Sequence, residues 1–129
     1  MTGLDTNVLV RYLTQDDDAQ FMAALALLNR KGANFFVTEM VFVELDWVLS
    51  TVYDWSCEEV ADTFARLLTI QNLIVPSEIK ILAALKAVRR GADLSDELIV
   101  AGNKDAGCKD FATFDKGIIK RHRDFAFAP

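Results

Sequence analysis

Short apolar runs of branched and aromatic residues, alternating with longer stretches of helical period, constrain this chain more than any other feature. Runs of four to six residues separated by amphipathic segments build an α/β domain with a largely parallel sheet. The pattern predicts strands at Thr2–Leu4, Asn34–Val37, Asn72–Val75, Asp110–Thr113 and Asp124–Phe127, the last an edge strand or a simple tail. Between them, Asp16–Asp18 open a helix that closes at Arg30-Lys31-Gly32, acids at its positive end and cations at its negative one. Thr38 caps the next helix, and Ser56-Cys57-Glu58-Glu59 is a capping box that starts another, running to about Thr69. Pro76-Ser77 open a fourth, closed by Arg89-Arg90-Gly91, and Ser95 or Asp96 opens a fifth that ends near Ala106-Gly107. No repeat or linker interrupts the pattern, so residues 1–129 read as one domain.

At 129 residues and 52% hydrophobic composition, the chain buries enough surface to fold without disulfide or metal staples. Cys57 and Cys108 fit no ligand spacing and read as reduced thiols of a cytoplasmic protein. No uncharged stretch approaches the roughly 18 residues of a membrane span, and MTGLDTNVLV lacks the pattern of a signal peptide. The formal charge of −5 is uneven. Residues 1–64 carry 3 basic and 11 acidic side chains, residues 65–129 carry 11 basic and 8 acidic, so a basic half can still face a polyanion.

The informative residues are acids where local structure alone would prefer something else. Asp5 ends the first predicted strand, at the strand end where open α/β sheets keep their ligands; its alternative role is to cap the helix that follows. Glu44 lies between Val41 and Val48 in the apolar line Val41, Leu45, Val48, Leu49, Val52, which predicts a carboxylate turned inward, while Glu39 and Asp46 project elsewhere. Asp96 shares a face with Ile99, Val100 and Asn103, which predicts it turned inward, whereas Glu97 is predicted to pair with Lys104 on another face. Asp93 reads as a capping or supporting residue, and Asp115 as the acid ending the strand Phe111–Thr113, or a turn aspartate.

If Asp5, Glu44, Asp96 and Asp115 converge, each ionised pair about 5 Å apart repels by about 3 kcal/mol at an effective dielectric near 20. Something must neutralise that charge, and an all-oxygen set without His or Cys suits Mg²⁺ or Mn²⁺. Such ions support phosphodiester hydrolysis without histidine. The one histidine, His122, rules out a two-histidine ribonuclease mechanism. No G-x-S-x-G elbow, G-x-x-x-x-G-K-[ST] or G-x-G-x-x-G loop is present. Thr6, Asn7 and Thr113 can orient ligands or water. Arg89, Arg90, Lys104, Lys109, Lys116, Lys120, Arg121 and Arg123 are candidate contacts for RNA phosphates, or solvated surface charge.

The blocks Gly3-Leu4-Asp5-Thr6-Asn7-Val8-Leu9-Val10-Arg11-Tyr12-Leu13 with Asp16-Asp17, Val43-Glu44-Leu45-Asp46-Trp47-Val48-Leu49, Asp93-Leu94-Ser95-Asp96-Glu97-Leu98-Ile99-Val100-Ala101 and Ala112-Thr113-Phe114-Asp115 resemble PIN-domain proteins, in particular VapC-type toxins. The resemblance runs nearly end to end. It implies a PIN-like three-layer α/β/α fold with a short, mainly parallel central sheet of four to five strands. It also implies a Mg²⁺- or Mn²⁺-dependent endoribonuclease, a homodimer, and a cognate antitoxin that blocks the site. Carried over residue by residue, Asp5, Glu44, Asp96 and Asp115 are the catalytic and metal-binding acids, supported by Thr6, Asn7, Asp93 and Thr113. Glu97 departs from the small or apolar residue often found there. A second apolar line, Met40, Val43 and Trp47, with Tyr53 and Trp55, is a candidate surface for a second chain, or is buried on both sides within the monomer. Two rivals differ in chemistry: a haloacid-dehalogenase-like phosphatase using Asp5 as nucleophile, and a catalytically silent PIN scaffold that binds RNA or protein. The first is disfavoured because Asp5-Thr6-Asn7 lacks a second aspartate.

Overall fold

A computed structural model describes all 129 residues. Five strands and seven helices follow one another: β1 (Thr2–Gly3), α1 (Thr6–Thr14), α2 (Asp18–Leu28), β2 (Phe35–Phe36), α3 (Glu39–Thr51), α4 (Cys57–Leu67), β3 (Leu73–Ile74), α5 (Glu78–Arg89), α6 (Leu94–Asp105), β4 (Phe111–Ala112), α7 (Lys116–Arg121) and β5 (Ala126–Phe127). Each strand lies inside a predicted run. All pairings are parallel, and the intervening helices supply the crossovers that parallel strands need. β1, β2 and β3 form one ladder in that order, with Thr2 and Leu73 opposite Phe35; β4 and β5 form a second, with Phe111 opposite Ala126. The single sheet of four to five strands is thus divided into a three-stranded and a two-stranded piece.

Two helix starts follow the capping chemistry read from the sequence, whereas α2 ends at Leu28, short of the Arg30-Lys31-Gly32 exit, and Ser77 makes no side-chain cap at α5. Thr38 accepts from Val41 N–H at the start of α3, and Ser56 and Glu59 make the reciprocal capping box of α4. Asp17 rather than Asp16 caps α2; Asp16 instead meets Arg11 at 2.8 Å and the Tyr53 hydroxyl at 2.5 Å. The Tyr53 hydrogen bond is the main cause that holds the Asp16 carboxyl below its ordinary range. Helix α6 begins at Leu94, slightly before the predicted opening, because Gly91, with φ of 96°, turns the chain so that Asp93 takes the N-cap position.

A core of 21 buried residues joins the first ladder to α1, α3, α4, α5 and the start of α6. Phe42 and Phe64, both fully buried, meet edge to face at 5.2 Å within it. Val100, Ile118 and Ala126 form a separate, smaller core under β4, β5 and α7. Tyr53 and Trp55 pack against the large core, so they are not part of a free surface as the sequence suggested. Met40 and Trp47 are each 63% exposed. No helix is long and apolar enough to cross a membrane, and both cysteines are free.

Candidate active site

Strand order places two of the four acids where expected. Asp5 follows the end of β1 and Asp115 the end of β4, the carboxyl ends of parallel strands. Both are also helix caps, so the alternative role operates alongside. Asp5 accepts from Thr6 N–H at 2.8 Å at the start of α1, and Asp115 accepts from Ile118 N–H at 2.9 Å at the start of α7. Thr113 supports Asp115 directly, its hydroxyl accepting the Asp115 N–H at 3.0 Å. Thr6 is buried and its hydroxyl has no hydrogen-bond partner, one residue from Asp5. Asn7 is exposed on the first turn of α1.

Asp96 is the acid most affected by its neighbours. Partial burial raises its carboxyl above the ordinary range, and the charges of Asp93, Asp115 and Glu97 raise it further, against the opposing pull of Arg121. Asp93 occupies the N-cap position of α6, yet its side chain makes no capping bond. Its carboxylate is therefore available to the cluster. It also lines a cleft of about 410 Å³ with Glu44, Asp46, Trp47 and Ser95. Asp93 thus adjoins both Asp96 and the Glu44 cleft, a position the sequence reading had treated as merely supporting.

Glu44 is exposed, contrary to the inward orientation predicted from the apolar line. Phe42 explains the difference. The buried residues of α3 are Val41, Phe42, Leu45 and Leu49; at about 100° per residue, Phe42 rotates the centre of the buried face, leaving Glu44 about 115° away. Asp46, by contrast, is half-buried and accepts from Leu94 N–H at 3.2 Å. Burial, with Asp93 nearby, raises its carboxyl. Sequence reasoning placed Asp46 elsewhere because its partner, a backbone amide on α6, has no signature in the sequence.

Glu97 also differs from its predicted role. It is 7% exposed and its ion pairs are with Arg121 and His122, not with Lys104. Its carboxylate receives Arg121 Nε at 2.6 Å and lies 2.8 Å from His122 Nε2. Lys104 stands 5.2 Å over the Phe125 ring instead. Arg89 is likewise committed, to Glu58 at 2.7 Å and Asp62 at 2.6 Å. Among the candidate phosphate contacts, Arg90, Lys109, Lys116, Lys120 and Arg123 are exposed.

The donor chemistry fits a hard divalent cation, because the candidates are carboxylates and two of them, Asp93 and Asp115, act with like charge on a third, Asp96. The geometry does not form a closed ligand set. Asp5 is not among the charges acting on Asp96, and no three acidic, His or Cys side chains stand close enough to share an ion.

Parallel strands joined by helices, with acids at the strand ends, define an α/β domain of the kind that hosts acid-dependent chemistry at the sheet edge. The PIN domain family model matches residues 4–124, and the chain belongs to that family. PIN domains are generally metal-dependent nucleases. Searches among curated proteins and among solved structures return no significant match.

Proposed function

We propose that this protein is a Mg²⁺- or Mn²⁺-dependent endoribonuclease that acts as the toxin of a type II toxin–antitoxin pair. The observation that carries the reading is that Asp96, in the first turn of α6, feels the charges of Asp93 and of Asp115 beyond β4, in a chain of the PIN family. Asp5, Glu44, Asp96 and Asp115 would hold the cation, with Thr6, Asn7, Asp93 and Thr113 as supports. A cation held there would acidify a water and shield the leaving oxygen of an RNA phosphodiester. The chain's own residues do the positioning. Thr113 fixes the turn that carries Asp115, and the exposed Lys116, Lys120 and Arg123 offer charge to the RNA backbone. A cognate antitoxin covering the acids and a homodimer formed through the exposed Met40 and Trp47 complete the proposal.

The rival with an observation in its favour is a silent scaffold, because no three acids share one site. Calorimetric titration with Mn²⁺ and an RNA cleavage assay, each on wild type and Asp5→Asn, separate the two. The nuclease reading expects Mn²⁺ uptake, a 5′-phosphate on one product, and a loss on the order of 100-fold or more in the variant with its melting temperature preserved. Undiminished cleavage by Asp5→Asn, or activity in excess chelator, sinks it.

A further inference from the structure

Glu97 is a buried acid that the proposed chemistry does not use. It lies on α6 next to Asp96, and it is almost wholly removed from water. Both of its oxygens are engaged by the end of α7: Oε1 by Arg121 Nε and Oε2 by His122 Nε2. An acid buried this deeply is tolerated only when paired and hydrogen-bonded. The pairing here joins two elements across 24 and 25 residues of chain. At the other end of α7 stands Asp115, held by the Ile118 amide.

The same arginine reaches back toward the acids. A Cβ placed on Gly117 would stand 3.1 Å from Arg121 Nη1 and 3.1 Å from Asp115 Oδ1, so guanidinium and carboxylate flank one point on the first turn of α7. A single cation thereby lies near Glu97 and beside Asp115. The apolar contribution to holding α7 is small, since Ile118 is its only buried side chain and Ile119 packs partly buried against the same three-residue core.

We propose that Glu97 is a positioning residue: by gripping Arg121 and His122 it fixes α7 on α6, so that Asp115 is held beside Asp96 with Arg121 as the resident counter-charge. The local anchoring stands on the contacts above. Its consequence for metal and RNA rests on the nuclease reading.

The test uses the full chain with Glu97→Gln, and with Arg121→Gln as a milder change at a partly exposed side chain that leaves Glu97 paired with His122. Three quantities are read: amide exchange at Ile118, whose N–H reports the Asp115 cap; Mn²⁺ affinity by calorimetry; and kcat and KM for RNA cleavage. The clamp predicts roughly tenfold faster exchange at Ile118 in both variants with α3 and α4 amides unchanged, and, in Glu97→Gln, which keeps the Arg121 charge, Mn²⁺ affinity lower by about tenfold and kcat reduced at constant KM. Unchanged Ile118 exchange in both variants overturns the anchoring. Faster Ile118 exchange with Mn²⁺ affinity and kcat intact overturns the positioning role and leaves Glu97 a structural contact. A wild-type protein that neither binds Mn²⁺ nor cuts RNA overturns the nuclease reading, and Ile118 exchange then decides the anchoring by itself.

Discussion

Twenty-one buried residues hold the β1–β3 ladder to its helices, whereas the core under β4, β5 and α7 consists of Val100, Ile118 and Ala126. Full burial of one large apolar side chain contributes about 1.5–3 kcal/mol, so the first region has many such contributions and the second only a few. The second region adds polar contacts at its edge, Glu97 with Arg121 and His122, and Lys104 over Phe125. The candidate acids are divided between the regions. Asp5 and Glu44 stand on elements of the large core, Asp115 on the small one, and Asp96 on α6, which contributes Leu94 and Leu98 to one core and Val100 to the other. The spacing of the acids is therefore set by how the small region seats on the large one.

The contrast breaks most visibly at Phe42. Phe42→Ala removes the edge-to-face partner of Phe64 and leaves a cavity in the large core, a cost of about 3–5 kcal/mol that lowers the denaturation midpoint of the whole chain. Ile118→Ala tests the small region; a cost of about 2 kcal/mol is expected, seen as accelerated amide exchange in α7 and β5 while α3 and α4 keep their protection. Equal loss of protection in both regions would show that the two cores unfold as one.

The smallest effect is at the seam, where Asp46 meets the start of α6. Burial raises the Asp46 carboxyl, so the folded state binds that proton more tightly than the unfolded chain, and stability falls as pH rises through the raised value. Asp46→Asn keeps an acceptor for Leu94 N–H and removes the ionisation. Its melting temperature should exceed wild type by a degree or two near pH 7 and match it near pH 3, where both states of the wild type are protonated. An equal difference at both pH values would assign the effect to packing instead.

The alternation of short apolar runs with helical segments was enough to locate all five strands, because two-residue ladders still require the apolar residues that flank them. Caps were legible for the same local reason: Thr38 and Ser56 satisfy amides only three positions away. Acids at strand ends were legible for Asp5 and Asp115. Glu44, Asp46 and Glu97 were misplaced because each depends on a partner the local pattern does not contain. Phe42 turned the α3 face through its packing on Phe64, Asp46 found an amide 48 residues away, and Glu97 found a guanidinium 24 residues away.

The sequence by itself determined the α/β class, the order of the five strands and the family, since periodicity, capping and short motifs act within a few residues of chain; the short helix α7 was not legible in it. Only the tertiary structure decided which acids feel one another, which cations are already spent on partners, and how the sheet divides in two. Those outcomes follow from burial and from charges meeting across long separations. Free energies of that kind depend on where the neighbours stand.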